Sequence, residues 1–151
     1  CLREYAPRLV IIPHDNDWHP THIGTHLLAC DALALQPRGF TCGVVETEYW
    51  FPMAAPNLAV ELSARDLADL MAALACHRGE VQRNPYHVRL PAWMMDNVRR
   101  MELMGGKGTA VSTALFATLY RARRWAEGML HPPCATARVI SCADSPADML
   151  S

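Results

Sequence analysis

The chain has 151 residues, of which 51% are apolar and 19% charged, with a formal net charge of −1. That length can bury a real core in one domain, and that balance is the one soluble globular proteins show. A charge so near zero gives no electrostatic footprint for nucleic acid or an anionic membrane, and no apolar run is long enough to span a bilayer.

Cys1-Leu2-Arg3-Glu4 is not a secretory signal and no initiator Met is present, so the chain is expected to be a piece, or a processed product, of something longer. Arg8-Leu9-Val10-Ile11-Ile12-Pro13 is a β-branched run that ends in Pro and predicts a buried strand. His14 to His19 is polar and turn-like. Pro20 suits the first position of a helix, where its missing N–H has no partner to lose. From Thr21 to Leu35 the residues Ile23, Leu27, Leu28, Ala32 and Leu35 recur at helical spacing, and Gln36-Pro37-Arg38-Gly39 ends that helix.

Phe40 to Phe51 reads as strand, Pro52 and Pro56 bracket a loop, and Leu58 to Leu62 alternates as a further short strand. Ser63 is a good N-cap with Asp66 three residues on, opening a helix to Cys76 or His77 with Leu67, Leu70, Met71 and Leu74 on one face and Gly79 as its stop. Arg83 to Pro91 reads as loop and Ala92 to Met104 as helix, broken by Gly105-Gly106-Lys107-Gly108. Ser112 to Glu127 reads as a last amphipathic helix, with Arg121, Arg123 and Arg124 on its solvated face. Residues 1–128 therefore form the domain, and 129–151 an irregular tail in which Val139 and Ile140 make one weak strand. Buried strands alternating with helices argue an α/β fold, with too few strands for a complete doubly wound sheet.

Six cysteines, at 1, 30, 42, 76, 134 and 142, form no CxxC pair, which argues against a cysteine zinc ribbon. Cys30 and Cys76 read as buried free thiols inside apolar helices. Cys134 and Cys142 are free to pair, but nothing requires it. A reducing compartment, the cytoplasm, is the expectation.

The chemistry concentrates between His14 and His22. In an open α/β sheet ligands bind beyond the carboxyl ends of the strands, and this segment leaves such an end and enters a helix N-terminus. His22 and His26 lie four apart on one helix face, as in the zinc helix of metalloproteases, but Ile23 stands where that pattern carries its Glu base. His19 and His22 suit a different division of labour. One imidazole ligates a metal whose bound water attacks an amide, and the other meets the oxyanion or the leaving amine. Asp15 or Asp17 then orients a histidine. The same residues also read as a polar helix cap with no metal.

Asp17-Trp18-His19-Pro20-Thr21-His22 resembles the Asp-x-His-Pro-Asp-His signature of the LmbE-like, or PIG-L, N-acetylglucosaminyl deacetylase family. Val45 to Pro52, Pro56 to Leu62, Leu74 to Val81 and Thr113 to Arg124 resemble later segments of that family in the same order. The resemblance covers roughly residues 3 to 125. It implies a partial Rossmann-like three-layer sandwich, the C-terminal part of the LmbE-like fold, and zinc-dependent removal of an acetyl group from an N-acetylated amino sugar or glycoconjugate. By the resemblance His22 ligates Zn2+ and His19 serves the reacting carbonyl, and Asp17 is expected to assist the catalytic pair by orienting a histidine. Trp18, Thr21 and His77 are placed in the substrate pocket. His77 has the alternative role of a cation at a helix C-terminus.

Thr21 stands where the family has Asp and can supply a hydroxyl but no charge. The family's first signature, His-Pro-Asp-Asp-Glu, is absent, and with it two zinc ligands and the general base. On this reading that half lies upstream of Cys1. The chain alone is then inactive, exposes an unpaired sheet edge, and self-associates or is unstable. The competing expectation is a non-catalytic descendant kept as a binding or structural module. A Cys-His hydrolase ranks third, because no cysteine sits where its pKa would be depressed.

Overall fold

The structure, a computed structural model, describes residues 2–101, 104, 112–133 and 136–145. Its elements in chain order are α1 (Leu2–Tyr5), β1 (Leu9–Pro13), α2 (Pro20–Ala34), β2 (Cys42–Thr47), β3 (Leu58–Leu62), α3 (Ala64–Ala75), α4 (Arg78–Arg83), α5 (Tyr86–Arg100), β4 (Phe116–Ala126), β5 (Met129–Leu130) and β6 (Arg138–Ile140). The strands form one six-stranded mixed sheet in the order β1-β2-β4-β3-β6, with β5 paired to β4. The fold is therefore mixed α/β, as the alternation of strands and helices implies. The chain divides into two compact units, residues 1–58 with 119–138, and residues 59–118 with 139–144.

In the first unit β1 and β2 are parallel, Leu9 facing Gly43 and Pro13 facing Thr47, and α2 is the crossover between them. Parallel neighbours need such a crossover, so one strand–helix–strand passage sets where the His14–His22 loop emerges. A Cβ on Gly43 would meet Leu9 Cδ1 at 3.1 Å, so the close approach of these strands favours glycine there. The core of this unit gathers Ile12, Leu33, Cys42, Val44 and Trp125. Pro20 opens α2, as read from its ring, and Leu33 is its one fully buried aliphatic side chain. Leu27, Leu28 and Leu35, placed on the same helix by their spacing, are 58%, 70% and 71% exposed.

The segment from Ser112 to Glu127 is not a helix. Residues 116–126 form β4, antiparallel to β2 with Cys42 facing Trp125 and Glu46 facing Arg121. Its odd positions, Ala117, Leu119, Arg121, Arg123 and Trp125, share one face. Ala117, Leu119 and Trp125 are buried there, and the two arginines are only partly exposed. Arginines at two of those five positions break the apolar alternation by which a strand is recognised, and Arg121 and Arg123 are not on a solvated helix face. Thr113 to Arg124 is accordingly mostly strand, not the amphipathic helix expected there.

Glu127 (φ 54°) and Gly128 (φ +79°) join β4 to β5 in a two-residue loop. Positive φ at both positions is the type I′ hairpin geometry, which suits Gly and Asn and strains Glu. Glu127→Asn is expected to raise unfolding stability by about 0.5–1 kcal/mol, read as a higher urea midpoint at unchanged slope. An unchanged midpoint would show that the turn carries no strain. Beyond it β6 covers the weak strand expected at Val139 and Ile140.

In the second unit Ser63 caps α3 with a complete capping box, its hydroxyl accepting from Asp66 N–H and the Asp66 carboxylate accepting from Ser63 N–H at 2.9 Å. Two otherwise orphaned amides are satisfied reciprocally. Leu67 is buried on this helix, while Leu70 is 42% exposed. α3 packs against α4 and α5. The stretch expected as loop is helical on both sides of Asn84-Pro85: α4 contains Gly79 and ends at Arg83, and α5 begins at Tyr86 and carries Pro91 inside it. Proline in a helix interior costs an i→i−4 hydrogen bond, which is why Pro91 reads as a boundary. Cys76 is exposed at the end of α3, not buried. The Gly105–Gly108 break and Cys134 lie outside the described residues.

Candidate functional site

The loop from His14 to His19 leaves the carboxyl end of β1 and is organised around Asp17, which is 3% exposed. Asp17 Oδ1 accepts the His19 backbone N–H at 2.9 Å and His22 Nδ1 at 3.0 Å. Oδ2 accepts the backbone N–H groups of Trp50 at 3.0 Å and Phe51 at 3.4 Å. Burial alone would raise the pKa of this carboxyl. The bonds from His19, Trp50, His22 and Phe51 outweigh it and hold the group below its ordinary 3.8. With four donors on two oxygens, Asp17 is suited to positioning the histidines, not to carrying a proton.

Those bonds decide which nitrogen of each ring is free. His22 Nδ1 donates to Asp17, which leaves the lone pair of Nε2 available to a metal, the carboxylate–imidazole arrangement that raises ligand basicity. His19 is the N-cap of α2, and its Nδ1 accepts the Thr21 backbone N–H at 3.3 Å. Its proton therefore sits on Nε2, where it can be donated to a developing oxyanion. The two imidazoles are 5.0 Å apart between ring centroids and present opposite functions at the same ring position. Thr21 contributes here through its backbone amide, so a side-chain charge at 21 is not needed to set the His19 tautomer.

His14 is 1% exposed and committed on both nitrogens, donating from Nε2 to Phe51 O at 2.9 Å and accepting Asn16 N–H on Nδ1 at 3.2 Å. It is a structural latch and has no nitrogen left for a metal. Trp18 stacks at a tilt on Phe51, 5.5 Å between centroids, and is 72% exposed, so it is not a core wall. Tyr49 stacks on His22 at 4.7 Å. His77 lies in the second unit, exposed, between α3 and α4.

Beside this loop lies a second cluster that no short motif marks. Glu46, 0% exposed, pairs through Oε2 with Arg121 Nε, and Arg121 NH2 also binds Asp15 Oδ1 at 2.6 Å. Arg123 NH1 stands 3.5 Å from Glu46 Oε1, and His26 Nδ1 stands 3.7 Å from it. Desolvation opposes the charge on Arg121, yet Glu46 and Asp15 more than offset it and hold the guanidinium protonated. Asp15 is lowered in turn, its burial outweighed by Arg121. The readable signal was a Glu inside the apolar run Val44-Val45-Glu46, because a buried charge demands an opposite charge somewhere.

Among the described residues Asp15, His26 and Glu46 are the grouping whose candidate ligand atoms lie within 4.8 Å of one another. Charge and hydrogen bonding argue against a metal there. Two guanidiniums already neutralise the two carboxylates, and His26 Nδ1 donates to Pro13 O at 2.9 Å. His26 Nε2 instead faces Cys30 Sγ at 3.6 Å. That thiol is no activated nucleophile: burial, and then the charge of Glu46, push its pKa up.

The structure thus brings Asp17, Trp18, His19, Thr21 and His22 into one loop and helix start. Comparison with protein families, curated proteins and solved structures finds no match to this chain.

Proposed function

We propose that this chain carries one side of a zinc-dependent N-deacetylase site that hydrolyses the acetamide of an N-acetylated amino sugar or glycoconjugate. The observation that carries the reading is the Asp17–His22 bond of 3.0 Å, which engages His22 Nδ1 and leaves Nε2 as a metal donor beside His19. A zinc ion held there would ionise water near neutral pH and polarise the amide carbonyl. His19 Nε2–H meets the oxygen of that carbonyl, Asp17 holds His22, and Trp18 and Thr21 border the substrate. Among the described residues no group of three possible ligands includes His22, so a complete zinc site would draw further ligands and its base from elsewhere in the protein.

The parallel β1–α2–β2 passage, with the histidine loop at a strand's carboxyl end, supports a Rossmann-like arrangement. β1 is an edge strand with Ile11 61% exposed, and Leu27 and Leu28 on α2 are exposed as well, which supports association with more of the protein or with a second copy. No described helix is long and apolar enough to cross a membrane. A cytoplasmic setting belongs to the same proposal.

The test is zinc content and deacetylation by the full reading frame, wild type against His22→Ala. Loss of bound zinc and a fall in kcat/KM of at least about 100-fold are expected. Undiminished zinc and activity would end the assignment. The absence of His22 from any three-ligand group among the described residues favours, as the other reading, a non-catalytic descendant. That reading gains if the full reading frame retains no zinc at all.

A further inference from the structure

Three aromatic side chains around the histidine pair stand far out of the protein: Trp18 is 72% exposed, Tyr49 60% and Trp50 49%. Isolated exposed apolar residues need no explanation, but a cluster of rings at a candidate site does. This one is built, not loose. The loop that carries Tyr49 and Trp50 is fastened to the histidine loop by Trp50 N–H and Phe51 N–H on Asp17, and by His14 Nε2 on Phe51 O. Glu48 accepts the N–H of Met53, whose side chain is buried at the loop's far end. Tyr49 then lies over His22 and Trp18 over Phe51, so rings flank the imidazole pair.

We propose that this rim is a subsite for a flat apolar group, an aryl aglycone, attached to the acetamido ring that His19 and His22 address. It rests on the deacetylase reading for what occupies the space between the imidazoles. One pyranose face covers one aromatic ring, and the rim offers several. The polar groups that fasten its loops are engaged within the protein. Asp17 is saturated by four donors, Glu48 receives Met53 N–H, and both nitrogens of His14 are engaged. What faces outward is then mostly ring, with polar atoms at the Tyr49 hydroxyl and the indole N–H groups, which suits an aryl group better than the several hydroxyls of a second sugar.

The experiment titrates the full reading frame with N-acetylglucosamine, N,N′-diacetylchitobiose and 4-nitrophenyl N-acetyl-β-glucosaminide, following binding by calorimetry. The aryl glycoside is expected to bind about ten-fold more tightly than the free sugar, a step worth one aromatic stacking contact. Trp18→Ala should remove most of that advantage, read as the ratio of the two affinities in each protein, so that any change in affinity for N-acetylglucosamine itself is divided out. Trp18 is so exposed that its loss should not unfold the chain, and Tyr49→Phe, which keeps the ring, should retain the advantage. Equal affinity for sugar and aryl glycoside, tighter binding of the disaccharide, or an advantage that survives Trp18→Ala would each overturn the proposal. Zinc retention by wild type and its loss in His22→Ala, measured on the same samples, tells whether the deacetylase reading stands independently.

Discussion

Glu46→Ala is expected to lower unfolding stability by about 3–5 kcal/mol, the largest effect of any single substitution proposed for this chain. The reason is not the attraction lost but the charges left behind. Glu46 is fully buried and faces Arg121 across β2 and β4, with Arg123 3.5 Å from its other oxygen. Both guanidinium side chains are 16% exposed, so neither can recover full hydration without the strands parting. For a chain of this size the thermal midpoint should fall by roughly 10 °C or more. Replacing the whole group at once, with Glu46→Leu, Arg121→Met and Arg123→Met together, should cost far less than Glu46→Ala alone, because no charge is then orphaned. A Glu46→Ala midpoint within about 2 °C of wild type would show that the cluster is not buried in solution.

Asp17→Ala is expected to have the second largest effect, on the order of 3 kcal/mol, and to act on the site as well as the fold. It leaves the backbone amides of His19, Trp50 and Phe51 without their acceptor and releases His22 Nδ1. If the full protein binds zinc through His22, the same substitution should weaken zinc by about 10–100-fold, since the ring loses its orientation and the carboxylate that raises its basicity. Zinc affinity unchanged in Asp17→Ala would remove His22 from the ligand set even if stability fell.

The pH dependence follows from the same bonds. Asp17 and Asp15 both have native pKa values below the ordinary 3.8. A carboxyl lowered on folding contributes stability that is complete above about pH 5 and is lost as pH falls past 3.8 through the native value. Wild type should therefore lose stability below about pH 4 more steeply than Asp17→Ala, which has no such proton to take up there. Parallel acid-unfolding curves for the two proteins would contradict the lowered Asp17.

What was legible in the residues was local. Pro20 as the first residue of α2, the Ser63–Asp66 capping box, the loop between Pro52 and Pro56, and the strands at Leu9–Pro13 and Leu58–Leu62 all follow from signals within a few positions of one another. Their physics is a hydrogen bond or a ring constraint closed inside one turn. The position of His19 and His22 at a helix start was readable for the same reason. α5 starts at Tyr86, ahead of the boundary that Pro91 suggests, because this strong local breaker is tolerated inside a helix of 15 residues.

Residues Asp17 to His22 were set apart by the sequence alone: a proline fixes the helix start, and the spacing of two imidazoles fixes their proximity. Only the tertiary structure decided what Asp17 does. Its second oxygen is satisfied by amides more than thirty residues away, at Trp50 and Phe51, which makes it a hinge pin between two loops. Only the tertiary structure decided that residues 116–126 are a strand. Arg121 and Arg123 look like solvent-facing charges until Glu46, 75 positions before Arg121, is laid opposite them. A buried charge is stable only with its partner, and that partner can lie anywhere along the chain, so no local pattern announces it.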